Sequence, residues 1–183
     1  MARDIQRPYA PFPVPNDPKE LPRYIAAELD RIRQALIAQP VALSVEESDS
    51  ITVTTTVNWS DLFIGSTPTW DVPGGNFEPS TGIWTNPQYG LYHAVLSLEV
   101  KPFGSGNKEY YASIAIDYES PTGPERIESS DGGSDIVPLG VTLTGQMPII
   151  FGSPVKCQVT IVHEQFVGIA AYTARLQLLR VSD

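Results

Sequence analysis

Alternation of apolar and polar side chains most limits how this 183-residue chain can fold. From Val41 onward every second residue is apolar in a series of short runs, which is the period of a β-strand with one buried face. These runs span residues 51–57, 92–100, 110–118, 157–161 and 174–178. Residues typical of turns separate them at 73–75, 104–107, 121–124 and 131–133. Because no long helical pattern interrupts the strands, the sequence predicts a mainly β protein, an antiparallel sandwich or jelly roll.

A helical pattern precedes the strands. Residues 17–38 offer Asp17 as an N-cap, and Pro40 ends the pattern. The apolar side chains are spaced four, three and four residues apart, which is the seam of a short coiled coil, and they are Ile25, Leu29, Ile32 and Leu36. Two heptads are marginal alone, so the seam either packs on the domain that follows or associates with copies of itself.

Six prolines lie within the first 22 residues, where fixed φ angles and missing N–H groups favour an extended backbone. The same segment carries Tyr9, Phe12 and Val14. Either it is a mobile tail or it lies along the surface of a partner, where its apolar side chains leave water. We expect an attachment arm that docks through these three residues.

Charge and composition restrict the partners. The chain has 12 basic and 21 acidic residues, a net charge of −9, which disfavours nucleic acid and anionic membranes because both are bound through basic side chains. A single cysteine cannot form an intrachain disulfide. No apolar run is long enough to span a bilayer, and the start lacks a signal-peptide pattern, so we expect a chain made and assembled inside a cell.

Catalytic and metal-binding patterns are missing from the sequence. The two histidines, His93 and His163, have no metal-ligand spacing, and no nucleophile elbow, phosphate loop or dinucleotide fingerprint occurs. Cys157 shares the apolar side of its strand with Val159 and Ile161, which predicts a buried thiol. We therefore expect neither an enzyme nor a cofactor. The acidic stretch 119–135 is interpreted as a loop, either solvated or able to bind calcium.

Tryptophans near the predicted loops are candidates for ligand binding. Trp59 and Trp70 precede the central strand, and exposed rings on a rigid sandwich can stack against the sugars of a surface glycan. Trp84 is expected in the core.

Residues 77–92 carry a resemblance to a known family. The matching positions are Phe77, Pro79, Ser80, Thr81, Gly82, Trp84, Thr85, Pro87, Gly90 and Tyr92. The pattern resembles the hallmark of the complement globular-head and tumour-necrosis-factor-like jelly roll, over residues 45–181. The resemblance implies a tight homotrimer with aromatic and aliphatic side chains along the threefold axis, and three helices starting together as a stalk.

The segment PNDPKELPRYIAAELDRIRQAL resembles the amino-terminal attachment segment of small bacteriophage virion proteins. Together the two resemblances imply an extended arm (1–18), a short helix forming a trimeric stalk (19–39) and a jelly-roll head (40–183). The expected function is a homotrimeric head fibre or capsid decoration (cement) protein. It would be made in the host cytoplasm and held in the virion by the major capsid protein or another scaffold. The alternative is a tail-associated or host-surface glycan-binding module, which would depend on the loop aromatics.

Overall fold

The computed structural model of the chain describes Pro15, Lys19 and residues 21–37, 41–72, 74–101, 109–134, 136–165 and 167–182. Within these ranges it describes only the backbone of residues 30–37 and 182. The chain divides into two compact units, residues 1–40 and 41–183.

Where the structure describes the first unit, it forms one helix, α1, at Leu21–Ile37. Pro22 lies in its first turn, where a missing N–H costs no helical hydrogen bond. Ile25 and Leu29 are exposed in the single chain. The side chains of Ile32 and Leu36 lie outside the described residues, as do Asp17 and the arm residues Tyr9, Phe12 and Val14. The trimeric seam and the docking arm therefore stay predictions.

In the described residues of the second unit, eleven strands are arranged in two sheets. The strands are β1 (Val41–Val53), β2 (Ser60–Asp61), β3 (Trp70–Asp71), β4 (Asn76–Glu78), β5 (Ile83–Thr85), β6 (Gly90–Val100), β7 (Glu109–Ser120), β8 (Gly123–Ser134), β9 (Leu139–Ile149), β10 (Pro154–His163) and β11 (Gly168–Ser182). Sheet 1 has the order β3-β1-β11-β6-β9, and sheet 2 has the order β4-β5-β10-β7-β8 with β2 beside β10. Neighbouring strands pair antiparallel. The predicted antiparallel jelly-roll sandwich is confirmed.

The core lies between the sheets and follows the predicted alternation. Strand β6 buries every second side chain from Tyr92 to Val100, and β7 does the same from Tyr110. Cys157 on β10 is buried, as predicted. Burial raises the pKa of its thiol, and the nearby charge of Asp117 raises it further. A thiol held neutral in this way behaves as a small core side chain.

The first strand begins and ends earlier in the sequence than the predicted run 51–57. Strand β1 ends at Val53, and Val57 is exposed, so the expected alternation through Val57 is wrong. At Thr54 the backbone leaves sheet 1 and forms a parallel bridge with Val162 of sheet 2, with His163 N donating to Thr54 O. The Thr54 hydroxyl then donates to the carbonyl of Thr56, which bends the chain into a turn.

The interpretation of residues 119–135 as an acidic loop is also wrong. Strands β7 and β8 pair in register from Glu109–Ser134 to Ser120–Gly123, so this stretch is largely a β-hairpin. The predicted turn at 131–133 lies inside β8. A Cβ on Gly132 would stand 3.2 Å from the ring of Tyr111, so glycine there admits an aromatic neighbour instead of making a turn.

Candidate functional site

The 77–92 segment forms two short strands and two turns. The turn between β4 and β5 closes with Gly82 N donating to Glu78 O at 2.9 Å. Gly82 has a φ of 66°, and a Cβ there would lie 2.2 Å from the carbonyl oxygen of Leu62. Glycine is required at this position by both conformation and space.

Trp84 and Tyr92 anchor this segment in the core. Trp84 is buried, as predicted, and its Nε1 donates to Asp71 Oδ1 at 2.8 Å. The two rings meet edge to face, with centroids 6.0 Å apart. The Tyr92 hydroxyl donates to Asn86 Oδ1 at 2.7 Å. Buried Asn86 also donates through Nδ2 to the carbonyl of Ile150 at 3.2 Å, which ties the turn before β6 to the turn after β9.

One face of the sandwich is poor in charge. It consists of the side chains of sheet 1 that alternate with the core residues, and we call it the sheet 1 outer face. Its residues are Trp70 on β3, Ser44, Glu46, Ser48, Ser50 and Thr52 on β1, Leu91, His93, Val95, Ser97 and Glu99 on β6, Thr142, Thr144, Gln146 and Pro148 on β9, and Ile169, Ala171, Thr173, Arg175, Gln177 and Leu179 on β11. Among them only Glu46, Glu99 and Arg175 are charged, and Glu46 pairs with Arg175 at 3.0 Å. Depletion of charge is the compositional mark of an interface core.

The opposite face, on sheet 2, is rich in charge. Its outward positions include Glu109, Asp117, Glu119, Arg126, Glu128 and Lys156. A surface of this kind is typical of contact with solvent. The two faces therefore differ in their content of charged side chains, which is low on surfaces that self-associate and high on surfaces that contact solvent.

The two candidate tryptophans take different positions. Trp59 is partly buried, and the guanidinium carbon of Arg126 lies 4.8 Å from the centroid of its ring, so one ring face is already covered. Trp70 is 37% exposed on β3, and its Nε1 donates to the carbonyl of Val41 at 2.9 Å. The structure does not bring the two rings into one site.

A row of polar side chains crosses sheet 2 beside Trp59. Arg126 Nε and Nη2 donate to the two carboxylate oxygens of Asp117 at 2.7 and 3.1 Å, and Nη2 also bonds Gln158 Oε1. Gln158 Nε2 donates to Asp61 Oδ1 at 2.8 Å, and Lys156 Nζ lies 2.9 Å from the same oxygen. Partial burial opposes ionisation of Asp61, but the bonds from Gln158 and Lys156 outweigh it and lower its pKa.

A groove of about 430 Å³ opens along this row. Its lining residues are Ile83, Asp117, Tyr118, Glu119, Pro124, Glu125, Arg126, Pro154 and Lys156. On the core-facing side of the β7–β8 hairpin the Glu125 carboxylate accepts hydrogen bonds from Ser120, Tyr118 and Thr122, which lower its pKa. The groove is edged by acidic and basic side chains, Asp117, Arg126 and Lys156, that are already held in position by their contacts.

Sequence reasoning missed this groove, although one signal for it was present. Asp117 and Arg126 occupy polar positions that alternate with the core residues of their strands. A hairpin prediction for 109–134 would have placed them opposite each other, whereas the loop interpretation did not.

Within the described residues, no group of three or more His, Cys, Asp or Glu side chains is placed to hold a metal ion. The described part of the chain also contains no helix long and apolar enough to cross a bilayer.

Comparison with known proteins identifies the fold. No family model matches the chain, and no curated protein matches it. It is similar to the globular domain of zebrafish complement 1qA protein, with a TM-score of 0.52 and 15% identity over 75% of this chain and 95% of that one. It is also similar to Eiger TNF from S. frugiperda, with a TM-score of 0.54 and 11% identity over 79% of this chain and 95% of that one. The PRD1 vertex protein P5 matches with a TM-score of 0.44 and 11% identity, over 79% of this chain and 99% of that one. The first two matches confirm the predicted complement-head and tumour-necrosis-factor-like jelly roll.

Proposed function

We propose that the chain is a homotrimeric structural protein of a bacteriophage virion, a head fibre or capsid decoration protein held by its amino-terminal arm. The observation that supports self-association is the sheet 1 outer face, which carries few charges while the outer face of sheet 2 carries many. The fold supports a trimer as its form, because complement-head and tumour-necrosis-factor-like domains associate in threes.

Self-association is tested by placing a charge on each face in turn. Val95 lies in the middle of the sheet 1 outer face, between Gln177 and Thr144 on the neighbouring strands. Val95→Asp would bury three unpaired carboxylates in a trimer, so we expect it to yield monomers in light scattering. The matched control is Val162→Asp, on the outer face of sheet 2, which should remain trimeric. A monomeric wild-type protein at micromolar concentration would contradict the proposal.

Attachment through the arm rests on the composition of residues 1–18. Proline restricts the free peptide, so docking Tyr9, Phe12 and Val14 costs less conformational entropy than docking a flexible tail. Arg3 and Arg7 are balanced in the arm by Asp4 and Asp17, whereas residues 40–183 contain 6 basic and 16 acidic residues, a net charge of −10. The two arginines could meet acidic groups on a scaffold. Three arms on one trimer would add avidity for a site of threefold symmetry on the major capsid protein or another scaffold.

Deletion of residues 2–18 tests the attachment directly. We expect a folded trimer in solution that is missing from purified phage particles, while the full-length protein is present on them. A matched variant with Tyr9, Phe12 and Val14 replaced by serine keeps the prolines and should be lost from particles as well. Full incorporation of the truncated protein would refute the attachment role and favour the tail-associated or host-glycan alternative.

A further inference from the structure

We infer that the groove on sheet 2 is a binding site for a neutral saccharide. It lies on the face opposite the proposed trimer contact, and its residues come from β5, β7, β8 and β10 of the head. Its volume of about 430 Å³ falls within the range of small-ligand sites, roughly 300–1,000 Å³.

The polar edge of the groove is preorganised. The Arg126 guanidinium is fixed by Asp117, by Gln158 and by the ring of Trp59, so it loses little side-chain freedom when a ligand binds. Trp59 therefore acts as the support of Arg126, with one face of its ring covered by the guanidinium.

Unused hydrogen-bonding capacity remains at this edge. Among the residues that the structure describes, Arg126 Nη1 has no hydrogen bond and the Glu119 carboxylate has neither a hydrogen bond nor an ion pair. Lys156 uses one of its three donors on Asp61. The groove thus offers donors and acceptors side by side, which is what a vicinal pair of sugar hydroxyls needs.

The charges favour a neutral ligand over an ion. A phosphate or an acidic sugar would approach Asp117 and Glu119, whereas a cation would meet Arg126 and Lys156. A neutral sugar ring carries no charge, so neither the carboxylates nor the basic side chains repel it. Its C–H faces can pack on the apolar walls formed by Pro124, Pro154 and Ile83, while its hydroxyls bond the charged edge.

The test uses the full-length protein on a printed array of neutral hexose and N-acetylhexosamine oligosaccharides, with sialylated and sulfated oligosaccharides for comparison. The strongest neutral ligand is then titrated calorimetrically. We expect binding to at least one neutral oligosaccharide, and about tenfold weaker affinity in Lys156→Gln and in Glu119→Gln, since each removes a charge-assisted hydrogen bond. Lys101→Gln and Glu109→Gln make the same changes on residues that do not line the groove and should bind as wild type does.

Circular dichroism and light scattering establish that each variant keeps its fold and assembly. Three results would overturn the inference: no neutral oligosaccharide bound, binding of charged oligosaccharides alone, or an affinity for the neutral ligand that neither groove variant changes. Because Lys156 and Glu119 are at the surface, the test does not depend on altering the more constrained Arg126.

Discussion

Asn86 holds the turn before β6 and the turn after β9 together, and its removal is expected to destabilise the head. Its side chain is 1% exposed. Oδ1 accepts from the Tyr92 hydroxyl at 2.7 Å and from Gln88 N at 3.3 Å, while Nδ2 donates to the carbonyls of Gln88 and Ile150. Asn86→Ala deletes all of these bonds without supplying a new partner.

The loss of stability in Asn86→Ala can be estimated from the hydrogen bonds that the change removes. Truncation removes the bonds of Asn86 to the Tyr92 hydroxyl, to Gln88 N and to the Ile150 carbonyl, although that carbonyl keeps the N–H of Ser153 as a donor. At about 1 kcal/mol for each lost bond, we expect a loss of about 3 kcal/mol in the free energy of unfolding. Tyr92→Phe removes the hydroxyl but leaves Asn86 Oδ1 with Gln88 N as a donor at 3.3 Å, so this change should cost only about 1 kcal/mol. Because the two single changes remove one shared bond, the double variant should lose about 1 kcal/mol less than their sum.

Guanidinium unfolding measures these values at one fixed protein concentration, because dissociation of an oligomer makes its stability depend on concentration. Tryptophan fluorescence is a suitable signal, since the Trp84 ring contacts Tyr92. Asn58→Ala is the matched control: this exposed asparagine bonds only nearby threonine hydroxyls among the described residues, and its loss should cost less than about 1 kcal/mol. If Asn86→Ala costs no more than this control, or if the double variant is strictly additive, then the proposed role of Asn86 is refuted.

Two further changes probe the same head. Gly82→Ala should cost roughly 1–3 kcal/mol from backbone strain alone, with more from the contact with Leu62, whereas Gly140→Ala, where a Cβ meets nothing within 4 Å, should be close to neutral in the same unfolding assay. Burial raises the pKa of Glu47, so the folded state binds this proton more tightly than the unfolded chain does, and ionisation of Glu47 lowers stability as the pH rises from about 4.5. Glu47→Gln should therefore gain stability relative to wild type between pH 4 and pH 7, and a difference that is constant over this interval would contradict the assignment.

The sequence predicted those features of the fold that depend on local periodicity. The alternation from Tyr92 to Val100 indicated which side of β6 is buried, and the turn residues at 121–124 marked the turn between β7 and β8. The alternation and the turn residues each lie within a few residues of the structure that they specify. The 77–92 pattern extends this local information, because it resembles a family whose turns are known.

Contacts between distant segments could not be predicted in this way. Asp71 accepts from Trp84 Nε1, and the Glu47 carboxylate accepts from the N–H of Phe63, a buried residue with a φ of 64°. Neither carboxylate differs in its sequence surroundings from a solvated one. Their roles appear only when the sheets bring the partners together, which is also why the groove residues Arg126 and Lys156 escaped the sequence analysis.

The separation of the two faces makes assembly and ligand binding independently testable. Self-association through the sheet 1 outer face leaves the sheet 2 groove open, so each trimer would present three equivalent grooves. On a dense array, three linked sites strengthen apparent binding without any change in the affinity of each one. Val95→Asp is therefore expected to weaken binding to the array strongly, because it separates the chains, and to leave the calorimetric affinity of each groove unchanged, because Val95 does not line it. Equal losses in both measurements would show that the groove depends on the trimer, and the two faces would then have to be treated as one site.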